Sequence, residues 1–110
     1  MKDDRVYLEH ILDSIRRIET YSCGGWDEFA RNPMAQDAVV RNFEIIGEAA
    51  KRLSGDTTAR QAHIRWRDIA GFRDVLIHNY MGVNLARVWR VIQQDLPGLK
   101  RAVDDLLKNR

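Results

Sequence analysis

Arg73, Asp74, His78 and Tyr80 fall within one run of eight residues, Arg73-Asp74-Val75-Leu76-Ile77-His78-Asn79-Tyr80. Around them stand Ile69, Phe72, Val75, Leu76 and Ile77, all strongly apolar. Charged groups in such a setting are either satisfied in place or kept there for chemistry. Beside a phosphodiester, an imidazole at 78 could take the proton of a ribose 2′-OH or give one to the leaving oxygen, and a guanidinium at 73 could stabilise the crowded phosphate. That chemistry needs no metal, and it requires the 2′-OH that DNA lacks. On residue types alone the same cluster also reads as a satisfied ion pair with a helix-end histidine, and Tyr80 as a helix-end aromatic with its hydroxyl in water.

The spacing decides which of these groups can cooperate. Asp74 and His78 are four apart and share one face of a helix, so the carboxylate can accept a hydrogen bond from the imidazole and hold its tautomer. Arg73 stands five before His78, about 140° away around the helix. A long arginine can lean across; otherwise a site using both residues borrows from a second copy of the chain, which points to a homodimer.

Competing chemistries lack their parts. Cys23 is the single cysteine, which leaves no internal disulfide and no multi-cysteine metal site; beside Gly24-Gly25 it is expected to be a small, partly buried side chain. There is no Cys/His pair, no glycine-rich phosphate loop and no His-Glu-x-x-His helix. Glu44 and Glu48 are four apart, but no histidine or further acid lies at matching spacing, so salt bridges to arginine are the expected use. Neither a metal nor a cofactor is expected.

Composition agrees with a globular chain. Its 110 residues suit one domain, 1–110, and they are 45% hydrophobic and 31% charged, neither disordered nor membrane-embedded. No apolar run approaches a bilayer span, and Met1-Lys2-Asp3-Asp4-Arg5 lacks the pattern of a secretory signal, so a cytoplasmic location is expected. The net charge of +2 permits a polyanionic partner without requiring one. Arg60, Arg65, Arg67 and Arg73 gather just before and inside the charged run, and arginine's planar fork suits phosphate.

The elements that must position this run are all helical. Leu8, Ile11, Leu12, Ile15 and Ile18 recur at three and four, predicting a helix from Asp4 to about Tyr21, capped by Asp3 or Asp4 and ended by Gly24-Gly25, with His10 half-exposed. Trp26 to Ala30 reads as one or two turns laying Trp26 and Phe29 over the end of a bundle. Asn32-Pro33 starts a helix to about Leu53, with Ala35, Ala38, Val39, Phe43, Ile46, Ala49 and Ala50 on its apolar face and Gly47 allowing close approach. Ser54-Gly55-Asp56 is read as its end, and Thr57 to Arg65 as a loop with a weak turn around Ala59 to His63. Helices follow from Trp66 to near Tyr80, from an Asn84 cap through Ile92, and after Leu96-Pro97-Gly98 through Leu107. No strand-like alternation is present, so the fold class is all-α: an up-and-down bundle of four long helices with short extra ones.

The run Arg73-x4-His78-Asn79-Tyr80, preceded by Trp66-Arg67-Asp68-Ile69-Ala70-Gly71-Phe72, resembles the HepT-like members of the HEPN superfamily, the toxin half of bacterial and archaeal HEPN/MNT (type VII) toxin-antitoxin pairs. Ile46 through Leu53 and Val88-Trp89 through Asp95-Leu96-Pro97 extend the likeness over nearly the whole chain, although the polar 56–65 segment matches nothing. The resemblance implies an all-helical homodimer whose two motifs meet in a cleft and cleave RNA without metal. Carried over by position, Arg73 and His78 would be the catalytic pair, and Asp74 the polar residue that assists them. Tyr80 would be the tyrosine to which a partner nucleotidyltransferase antitoxin attaches AMP. Added charge and bulk there would repel an RNA phosphate. A second expectation, of a different class, is a non-catalytic helical module that partners the nucleotidyltransferase.

Overall fold

The computed structural model describes residues 3–78 and 84–108 and, for Arg73, Ile77 and His78, the backbone only. The apolar residues of the first predicted helix do recur on one face, and α1 forms over Arg5–Ser22 with Leu8, Ile11, Leu12, Ile15 and Ile18 buried. Ile11, Ile15 and Ile18 are wholly out of water, and each such burial stabilises the fold by about 1.5–3 kcal/mol. The helix stops where the Ser22 hydroxyl turns back to donate to the Ile18 carbonyl at 2.7 Å, and Gly25 follows with φ of 90°, a conformation that favours glycine. Cys23 is exposed rather than partly buried, because it stands past the last turn of α1 and not on its apolar stripe.

Capping of α1 departs from expectation. Asp4 occupies the N-cap position but makes no capping bond; the Arg5 amide is taken by Asp3 Oδ1 at 2.9 Å. The Asp4 carboxylate is used elsewhere, as described below.

The short α2, Trp26–Ala30, buries Phe29 and lays Trp26 against Trp89, with ring centroids 5.8 Å apart. Next comes α3, Pro33–Lys51, whose cap is the one expected: Asn32 Oδ1 accepts from the Ala35 amide at 3.1 Å and Pro33 opens the first turn. It is the central helix, packed against α1 on one side and α5 on another, with α2 at its start. Gly47 is buried in this face. So is Asn42, whose Nδ2 donates to the Ala38 carbonyl at 2.8 Å.

Ser54 does not close α3, which ends at Lys51 with Arg52 as its cap. It opens a further short helix, α4 (Gly55–Ala59), by accepting from the Thr57 amide. The segment read as a loop from Thr57 thus starts helical, and the weak turn expected around Ala59 to His63 follows, with the Ile64 N–H donating to the Gln61 carbonyl at 3.1 Å. The cause of the helical start is the Ser-Gly-Asp-Thr order, which supplies an N-cap hydroxyl and a first-turn acid together. The remaining helices are α5 (Trp66–His78), α6 (Leu85–Gln94, capped by Asn84) and α7 (Leu96–Lys108). Pro97 sits in the first turn of α7, where its missing N–H costs nothing. α7 packs on α1 and α6 and buries Leu96, Leu99, Ala102, Val103 and Leu106.

The fold is therefore an all-α bundle, with no strand among the described residues. No described helix is long and apolar enough to cross a membrane.

Candidate functional site

The charged run lies on α5, and the start of that helix is anchored from the preceding loop. Trp66 Nε1 donates to the Gln61 carbonyl at 3.1 Å, and Asp68 in the first turn complements the helix dipole. Ile69 and Phe72 are half-buried and Leu76 is buried, so α5 presents this stripe to the core and packs along α3. The Phe72 ring stands edge-on to Phe43 of α3, at 88° with centroids 5.3 Å apart.

Two positions beyond Phe72 and Leu76 stand Asp74 and His78, about 200° round the helix from those core residues. The α5 backbone thus carries both on the side away from α3, one turn apart. Asp74 is exposed, and beside it Val75 is 38% exposed. Arg73 follows Phe72 directly and lies on the flank of the helix. Arg73, Asp74 and His78 thus all stand on the last turns of α5, with Arg73 about 140° round the helix from His78. The side chains of Arg73 and His78, and all of Tyr80, lie outside the described residues.

Two features beside this helix have no signal in residue spacing. Arg87 of α6 lays its guanidinium over Phe72, with Cζ 5.9 Å from the ring centroid. The stack Phe43–Phe72–Arg87 ties α3, α5 and α6 together immediately before Arg73. The second feature is the Asp4 carboxylate, which is buried against the cap and first turn of α4. Asp4 Oδ2 accepts from the Ser54 amide at 2.9 Å, the Ser54 hydroxyl at 2.7 Å and the Thr57 hydroxyl at 2.6 Å. Burial alone would raise its pKa, but the bonds from Thr57 and Ser54 outweigh that and hold it below the ordinary carboxylate value.

A separate cleft of about 360 Å³ opens between α1 and α3, lined in part by Tyr7, His10, Glu44, Glu48 and Arg52. His10 is exposed there rather than half-exposed. The cleft's acids meet arginines as expected: Arg41 pairs with Glu44 at 3.4 Å and Arg52 with Glu48 at 3.1 Å. Glu48 first and Tyr7 second hold the Arg52 guanidinium above its ordinary pKa. These are neutralised surface pairs.

The fold is that of an all-helical protein with Arg73, the exposed Asp74 and His78 at positions on the last turns of one bundle helix. The chain belongs to the ribonuclease HepT-like family, whose model matches residues 11–106. A Methanocaldococcus jannaschii protein, named as a gamma-glutamylcyclotransferase and "putative RNase", is 42% identical over 99% of this chain, which spans about half (51%) of that relative's length. An RNase-named protein of Caldanaerobacter subterraneus subsp. tengcongensis is 39% identical over 98% of this chain and 97% of its own. A "probable ribonuclease HepT" of Thermococcus cleftensis is 38% identical over 93% of this chain and 94% of its own. No solved structure matches.

Proposed function

We propose that this chain, acting as one domain, is a metal-independent RNA endonuclease and the toxin of a type VII toxin-antitoxin pair. The observation that carries the reading is the register of α5, which sets Arg73, Asp74 and His78 within its last turns on a helix whose opposite side is taken by α3. His78 moves the proton at the 2′-OH or the leaving oxygen, Asp74 holds the imidazole tautomer, and Arg73 stabilises the phosphate as charge builds on it. Because Arg73 and His78 stand about 140° apart on one helix, the complete site is composite. Arg73 of one copy works with His78 of another across a homodimer seam, and the exposed Val75 next to Asp74 supplies apolar surface for that seam. Family membership and the RNase names of its relatives support the substrate class.

In the same reading, Tyr80 is the off switch. A nucleotidyltransferase partner attaches AMP to its hydroxyl, placing a phosphate where the substrate's phosphate must lie, and like charge excludes the RNA. The protein acts in the cytoplasm.

The test is cleavage of RNA by the purified chain in EDTA, compared with His78→Ala and Arg73→Ala. Cleavage that survives EDTA and is lost in both variants at unchanged helicity supports the proposal. Absence of cleavage in the parent and both variants, with the nucleotidyltransferase still bound, would instead assign a non-catalytic partner module.

A further inference from the structure

Among the described residues, α6 is the one long helix without an acid. The chain holds 16 Asp and Glu, yet Leu85–Gln94 contains none and carries Arg87 and Arg90. Its inward side is conventional, with Val88 and Ile92 buried and Trp89 and Val91 half-buried. Its outward side is Arg87, Arg90, Gln93 and Gln94, all exposed. Most exposed arginines of α1 and α3, Arg16 excepted, pair with an acid a turn away: Arg5 with Glu9, Arg17 with Asp13, Arg41 with Glu44 and, at the α3 cap, Arg52 with Glu48. α6 offers no such partners, and the first acid, Asp95, comes only after its last residue.

An arginine in the first turn of a helix is also placed against the dipole. Arg87 stands there, its amide held by the Asn84 cap at 3.1 Å. Its guanidinium is kept over the Phe72 ring, one residue from Arg73. The residue stays exposed while it holds this contact, and a guanidinium so placed suits a phosphate oxygen.

We propose that the outward face of α6, Arg87 and Arg90 with the amides of Gln93 and Gln94, is a track for the phosphate backbone of single-stranded RNA leading to the α5 motif. The inference rests on the RNA-cleavage reading above and adds the path by which substrate reaches the site. Arg87 and Arg90 are three residues apart, about 4.5 Å along the axis, so long side chains reach neighbouring phosphates of one strand. The glutamines, with both donor and acceptor, meet ribose hydroxyls and base edges without demanding a sequence. Both arginines are positioning residues for the reaction.

The probe is a short 2′-O-methyl RNA, which the parent chain binds but cannot cleave through the 2′-OH. Its affinity is measured against salt for the parent, the double variant R87Q/R90Q and, as a control, R17Q on α1. The double variant is expected to bind more weakly and to lose about 1.4 from the slope of log K against log salt, about 0.7 for each phosphate contact to a single strand. R17Q should leave the slope unchanged. With unmodified RNA, R87Q/R90Q should raise KM several-fold while kcat at saturation stays within about twofold, the split expected of lost uniform binding. An unchanged slope in a parent that binds RNA overturns the track alone. A parent that neither binds nor cleaves RNA removes the cleavage reading and the track with it. An unchanged slope with lost binding of the nucleotidyltransferase reassigns the α6 face to a protein partner and likewise overturns the track.

Discussion

The Thr57 hydroxyl donates to the Asp4 carboxylate at 2.6 Å, joining residues 53 apart in the chain. Asp4 stands at the start of α1 and Thr57 within α4, so the bond closes the bundle at one end. It also holds the segment from which Trp66 and α5 depart.

Asp4→Asn should therefore destabilise the protein by about 1.5–3 kcal/mol, the range for a hydrogen bond to a charged group lost in a buried setting. The effect depends on pH. The folded carboxyl has its pKa lowered, so its contribution is fully present above the unfolded value of about 3.9. It is lost as pH falls through the folded value below that. Thermal melts of parent and variant should differ most above about pH 5 and converge in strong acid. A difference that persists undiminished in acid would show that the carboxylate charge is not what stabilises.

Phe29 is 1% exposed and touches the rings of Trp26 and Trp89, at centroid distances of 6.3 and 5.4 Å. Phe29→Ala should cost about 3–5 kcal/mol through the lost transfer energy and the cavity left behind. Urea unfolding followed by tryptophan fluorescence measures it, since two of the three tryptophans flank the site.

Lys100 and Glu19 form the ion pair between α7 and α1, at 3.0 Å with side chains 34% and 45% exposed. At that exposure Lys100→Ala should cost less than about 1 kcal/mol, and the cost should shrink as salt screens the pair. A larger loss, unaffected by salt, would mean that the lysine stem is packing rather than pairing.

Asp74 is exposed on the side of α5 away from α3. Asp74→Ala should leave the melting temperature nearly unchanged and lower the rate of RNA cleavage, by less than the factor of about 10²–10⁴ expected for removal of the proton-transfer group proposed at His78. Asp74→Asn, which keeps an acceptor oxygen, should recover part of that rate. Rates are read from single-turnover cleavage; loss in Asp74→Ala as large as in His78→Ala would place the carboxylate in proton transfer itself.

Periodicity alone determined the long helices, though not α4, because the three-and-four recurrence in Leu8 to Ile18 and Ala35 to Ala50 admits one buried face and no strand. Local capping chemistry was equally legible at Asn32 and Asn84, whose partners lie three residues away. The register of Arg73, Asp74 and His78 along α5 was likewise a property of spacing. Only the tertiary structure decided where long-range partners lie. Asp4, adjacent to its own helix, was free by sequence to cap α1; burial against Ser54 and Thr57 gave its carboxylate three donors instead of one. Arg87 was one arginine among many until α6 came to rest beside α5, since a guanidinium finds a ring across helices only after packing has fixed both. Interactions within one helical turn are set by residue order, whereas those between elements depend on how whole faces bury, and that is decided by the assembled core.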